Sequence, residues 1–166
     1  MAILEVKKYP DPILRKKCLP VTELTSEIKE LGKNMIETVV VKGGVGLAAP
    51  QVGELKRIIA VGFADGPRIF INPRIFNKSK KVDIIEEGCL SFPGLYLKIK
   101  RAKEVEIEAL NPGGEKVRLK ISGLIARIFQ HEIEHLDGIL FIDKIGFWQR
   151  LKLKFTLLNP PKAVSR

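Results

Sequence analysis

The chain holds only two histidines, His131 and His135, and both lie in the segment QHEIEH, Gln130 to His135. The pattern is His-Glu-x-x-His. On a helix, residues four apart sit one turn above each other on the same face. Two imidazoles so placed can grip one metal ion, with the glutamate between them, Glu132, beside it as a general base. All histidine chemistry in the chain is confined to this one turn, so an accidental pair on a solvated helix is the weaker reading. A catalytic metal site needs a third protein ligand and an open position. Beyond His135 there is no Glu, His or Cys, only Asp137 and Asp143. Asp137 is too near along the chain to reach round from the same helix, whereas spacing leaves Asp143 open. Upstream, EEGCLSFPG (residues 86–94) presents Cys89 close to two carboxylates in a Gly- and Pro-flanked segment, where backbone can approach a ligand. A thiolate suits borderline and soft metals, which makes Cys89 the better candidate. Cys18 has no chemical neighbours and reads as a small buried hydrophobe.

These residues need a scaffold. Ser122 is placed to cap a helix from about Gly123 to Leu136. Leu124, Ile125, Ile128, Phe129, Glu132, His135 and Leu136 share one broad face of it, and Asp137-Gly138 stops it. Residues 25–41 read as a second helix, capped by Thr25 or Ser26 and ended by Gly43-Gly44. Glycine-rich GGVGLAAPQVG (residues 43–53) reads as a tight loop or irregular strand. Residues 57–110 look rich in strands, with 57–63, 68–72 and 95–100 as candidates. EVEIEAL (residues 104–110) and residues 116–121 alternate apolar and polar, and the turn Asn-Pro-Gly-Gly between them makes a hairpin. A last helix is expected over about residues 145–158, before Pro160-Pro161. Helices bracketing antiparallel strands give an α+β class: strands packed around a central helix that carries HExxH, with N- and C-terminal helices.

A length of 166 residues implies one domain, residues 1–166. The hydrophobic fraction of 45% and charged fraction of 29% are those of a globular protein. No apolar run is long enough for a membrane helix, so no membrane partner is expected. The opening MAILEVKKYPDPIL lacks the head, apolar stretch and cleavage site of a signal peptide. Two cysteines exclude a disulfide framework and point to the cytoplasm. The net charge of +10 is uneven: after Asp143 come Lys144, Arg150, Lys152, Lys154, Lys162 and Arg166 with no acidic residue. Such a tail suits a polyanion such as RNA or a ribosome surface, although charge alone speaks more for a solvated face.

Three segments together resemble the peptide deformylases: GVGLAAPQ (residues 44–51), EGCLS (residues 87–91) and QHEIEH (residues 130–135). Asp11–Leu14, Ile71–Pro73 and the EALNPGGE hairpin extend the resemblance over nearly the whole chain. It implies a hydrolase that removes the formyl group from the N-terminal methionine of nascent polypeptides and releases formate. It implies Cys89, His131 and His135 as ligands of one divalent ion, ferrous iron first, with zinc, nickel and cobalt as alternatives. Glu132 is then the general base and acid, and Gln51 with the Leu90 N–H holds the oxyanion. The formyl-methionyl chain is expected as an added strand along Val45-Gly46 and Glu87-Gly88, with Val45, Leu124 and Ile128 around the methionine side chain. Ribosome contact falls to the basic C-terminal helix. The chain departs from the family at Glu134, where Asp is usual, and at Ala102, where Pro is common. Two other readings stay open from the residues alone. One is an ordinary HExxH protease, which should not depend on Cys89. The other is a basic RNA-binding module with structural zinc, which would want four protein ligands.

Overall fold

The computed structural model describes residues 2–158, with side chains through Leu153. Three helices appear among them: α1 (Ser26–Val41), α2 (Gly123–Leu136) and α3 (Phe147–Leu158). The strands are β1 (Gly46–Ala48), β2 (Ile58–Phe63), β3 (Gly66–Lys78), β4 (Val82–Cys89), β5 (Phe92–Ala102), β6 (Glu104–Leu110) and β7 (Lys116–Ser122). An antiparallel five-stranded sheet has the order β1-β2-β3-β6-β7, and β4 and β5 form a separate ribbon. The architecture is α+β, as expected. Among the described residues, no helix is long and apolar enough to cross a membrane.

Local signals place most of these elements. The Thr25 hydroxyl accepts the Ile28 N–H and starts α1. Positive φ at Gly43 carries the chain away from its end. The β6–β7 hairpin pairs Ile107 with Leu119 and closes at Leu110 and Lys116, around the expected turn.

The sheet is covered on both faces. On β2, Ile58, Ile59, Ala60 and Val61 are all 0% exposed. Ile59 and Val61 join Phe70, Ile107, Phe129 and Leu136 in the core beneath α2. Ile58 and Ala60 join Met35, Val39, Leu47, Ile69 and Ile71 beneath α1. The Phe70 and Phe129 rings meet edge to face at 4.8 Å. A third cluster, with Leu14, Phe92, Ile99, Leu140 and Phe141, underlies the β4–β5 ribbon. Helix α2 is therefore enclosed between the main sheet and this ribbon, and the HExxH turn is buried.

Three expectations change. Residues 82–89 form strand β4, which was not expected. Their alternation is misleading, because Val82, Ile84 and Ile85 are exposed and Glu87 is buried. Strand β3 runs on through Pro73 to Lys78, since the register with β6 shifts between Ile71 and Arg74 and a bulge tolerates proline. Helix α3 begins at Phe147 after a short 3-10 turn over Phe141–Lys144. Its Trp148 and Leu151 are 77% and 52% exposed. The side chains of Lys154 and Phe155, together with Lys162 and Arg166, lie outside the described residues.

Candidate metal centre and active site

Helix α2 brings His131 and His135 together from one buried face, Nε2 to Nε2 at 3.2 Å. Cys89 arrives from the end of β4. There a bulge separates Gly88, opposite Tyr96, from Cys89, opposite Phe92. A bulge of this kind re-aims a side chain, and Cys89 Sγ comes 3.3 Å from His135 Nε2. The three donor atoms lie within 4.8 Å of one another, and they are the one such cluster among the described residues. A tetrahedral ion with bonds of about 2.0–2.3 Å has edges of roughly 3.3–3.6 Å between its ligand atoms. The 3.2 and 3.3 Å separations lie at or just under the short end of that range.

The charges around the cluster also fit a cation. Burial opposes a proton on His131, but Cys89, Glu87 and Glu132 outweigh it and raise the imidazole to about 10. Burial and then the His131 charge hold His135 well below its ordinary value. The neighbouring carboxylate and thiol thus favour a proton at the place where an ion would sit, and an ion bound there would displace it and leave both imidazoles neutral. Behind His131, Nδ1 donates to Glu87 Oε2 at 3.0 Å. Glu87 also accepts from Arg101 Nε at 2.5 Å and from Arg127 Nη1 at 2.6 Å. Burial resists ionisation of Glu87, yet the His131 and Arg101 bonds outweigh it and lower its pKa to about 2. A carboxylate behind a ligand histidine fixes its tautomer and its orientation.

Glu132 is 5% exposed and lies against Gly46 in β1. A Cβ at Gly46 would overlap the Glu132 carboxylate, so glycine is required there for close approach. Burial pushes the Glu132 carboxyl up to about 7, and its Oε2 is buried without a hydrogen-bond partner. Gln51 stands opposite. Its Oε1 accepts the Ala48 N–H at 2.8 Å, and this fixes the amide so that Nε2 faces Ser91 Oγ at 3.1 Å and Cys89 Sγ at 3.5 Å. These groups open into a cavity of about 480 Å³. An ion held by three side chains, a basic carboxylate and a fixed amide donor together can activate water and stabilise a developing oxyanion.

That chemistry belongs to a recognisable group of proteins. The polypeptide deformylase family model matches residues 3–150. The chain belongs to that family. It is 52% identical over 147 residues to a peptide deformylase of Halothermothrix orenii, covering 87% of this chain and 95% of the relative. A Thermotoga maritima peptide deformylase structure superposes with a TM-score of 0.86 at 40% identity, over 88% of this chain and 99% of that one. The Ehrlichia chaffeensis peptide deformylase in complex with actinonin gives 0.89 at 31% identity, over 97% and 100%. Like its family, the chain is a hydrolase that removes the N-formyl group from the N-terminal methionine of nascent polypeptides, and the family uses a single metal.

The expected site residues divide into three groups in this deformylase. Val45, Gly46, Gln51, Gly88, Cys89, Leu90, His131 and Glu132 all border the one cavity, and His135, 1% exposed, sits behind them against Cys89 and His131. Leu124 and Ile128 line a separate apolar hollow of about 380 Å³, which shares Gly44 and Val45 with the first. Glu87, expected to bind substrate, instead lies beneath His131 among three cations, because alternation along β4 turns it inward. Arg101 and Arg127 were not anticipated. Both are visible in hindsight: Arg101 shares the inward parity of Leu97 and Ile99 on β5, and Arg127 precedes His131 by one helical turn. Glu134 faces away from the cluster and pairs with Arg101 at 2.9 Å and Lys144 at 2.7 Å. Ala102 donates its N–H to Gln130 Oε1 at 3.2 Å, a bond that the more usual proline could not make.

Proposed function

We propose that Cys89, His131 and His135 hold the catalytic ion, that Glu132 is the general base and acid, and that Gln51 with the Leu90 N–H binds the oxyanion. The observation that carries this reading is the buried Glu132 carboxylate, partnerless at Oε2 and raised to about 7, beside three converging donors. The ion, ferrous by family resemblance, with zinc, nickel or cobalt able to replace it, supplies a Lewis acid that acidifies water and polarises the formyl carbonyl. Glu132 accepts the proton of the attacking water and returns it to the departing amine. A pKa near neutrality suits both transfers. The Gln51 amide, held by Ala48, is already oriented toward the developing charge, so no reorganisation accompanies the reaction.

The formyl-methionyl chain lies along Val45-Gly46 and Gly88 as an added strand. Its methionine side chain enters the apolar hollow walled by Val45, Leu124 and Ile128. Residues 1–166 act as one catalytic domain in the cytoplasm. The exposed Phe147, Trp148 and Leu151 leave α3 open for the ribosome contact, and the run of basic residues after Asp143 in the sequence supplies the charge for RNA. Deleting residues 147–166 should weaken ribosome co-sedimentation, and unchanged sedimentation of a folded deletion would refute the contact.

The central test is formate release from a short formyl-methionyl peptide by protein purified without oxygen and loaded with iron or nickel. Glu132→Gln should bind metal in full and lose turnover. Undiminished turnover would remove Glu132 from the mechanism.

A further inference from the structure

The mouth of the metal cavity carries charge of one sign. Apart from His131, the charged residues on its walls are Lys8, Lys42 and Glu132. Glu132 is buried at the floor, whereas both lysines are exposed. They flank Leu90. Lys8 Nζ donates to the Leu90 carbonyl oxygen at 2.5 Å. The Leu90 side chain packs over Gly44, where an added Cβ would meet its Cδ1 at 2.9 Å, and Lys42 lies two residues before that glycine. Lys42 caps the end of α1 through its backbone N–H to Thr38 and Val40. Among the described residues, its ammonium has no ion pair or hydrogen bond. The facing wall, formed by Pro93, Gly94, Leu95 and Tyr96, is neutral.

We propose that Lys8 and Lys42 make this enzyme select formyl peptides with acidic residues directly after the methionine. The preference rests on the reading of this cavity as the formyl-peptide site. A chain with its formyl group at Glu132 and its methionine beside Val45 must leave past Leu90 or Tyr96. In an extended strand successive side chains point to opposite sides, so one of its second and third side chains projects at the cationic rim. Two lysines without carboxylate partners attract Asp or Glu there and repel Lys or Arg. Low-dielectric walls focus that field, and salt screens it. The rim acts on encounter and binding and not on the bond that breaks, so the discrimination falls on KM.

The test compares three amidated peptides, so that no terminal carboxylate interferes: formyl-Met-Asp-Asp, formyl-Met-Ala-Ala and formyl-Met-Lys-Lys. The readout is the ratio of kcat/KM for the Asp peptide over the Lys peptide, in the wild type, Lys42→Glu and Lys8→Gln. The wild-type ratio should be about tenfold at low salt, carried by KM, and fall toward one at 0.5 M salt, on the order expected for charges roughly 8 Å apart near a surface. Lys42→Glu should bring the ratio to one or invert it, and Lys8→Gln should lower it. A wild-type ratio near one, or a ratio that Lys42→Glu leaves in place, overturns the preference while turnover of the Ala peptide keeps the site assignment. No turnover of any of the three peptides overturns both.

Discussion

Gly46→Ala tests how closely β1 holds Glu132, the proposed general base. Glycine here has no positive φ, so alanine adds no backbone strain and the effect is one of volume. An added Cβ would lie 2.8 Å from Ile128 Cγ2 and 2.9 Å from Glu132 Cδ. Ordinary carbon contacts need about 3.5–4.0 Å. The carboxylate must therefore retreat by roughly 0.7–1 Å in a site with no spare room. A displacement of about 1 Å in a positioned catalytic group costs on the order of 10²-fold in rate. The atoms nearest the added Cβ belong to Glu132 and Ile128 and not to the proposed ligands, so metal content should stay at the wild-type value. Overpacking should also lower unfolding stability by about 1–3 kcal/mol. The assay pairs kcat from formate release with metal content by atomic emission. Gly146→Ala, whose Cβ would meet nothing, is the control. If Gly46→Ala turns over within threefold of wild type, the Glu132 carboxylate is not held by this contact and the positional reasoning is refuted.

Two further perturbations probe the supports of the site. Glu87→Gln removes the anion shared by His131, Arg101 and Arg127. Breaking a buried ion pair should cost about 3–5 kcal/mol in urea unfolding, and losing the support behind a ligand should weaken metal retention against a chelator by about 10–100-fold; loss of neither would show that the network is dispensable. At Asp143, burial opposes ionisation, but Arg15, the Leu140 N–H and Arg150 outweigh it and hold the carboxyl below its ordinary value. Its stabilisation is complete above the ordinary value of 3.8 and is lost as pH falls through the depressed one. Asp143→Asn should therefore lower the urea midpoint at pH 6 and show a smaller further fall by pH 3 than wild type; parallel curves would refute the linkage.

The sequence alone determined whatever depends on neighbours along the chain. The i, i+4 geometry put His131 and His135 on one face, Asp137-Gly138 ended their helix, and Asn111 to Gly114 closed the hairpin, whereas Ser122 stands at the helix start without the expected side-chain cap bond. Cys89 was identifiable as a chemical candidate because the chain offers so few alternatives. Strand β4 was hidden because its pattern is inverted, with Ile84 and Ile85 outside and Glu87 inside. Only the tertiary structure decided that Glu87 lies buried beneath His131 between Arg101 and Arg127, that Leu124 and Ile128 line a second hollow, and that Gly46 leaves room for Glu132. Each of these contacts joins residues tens of positions apart, and burial, which sets both the charge state and the partner of each group, exists only once those distant segments have packed together.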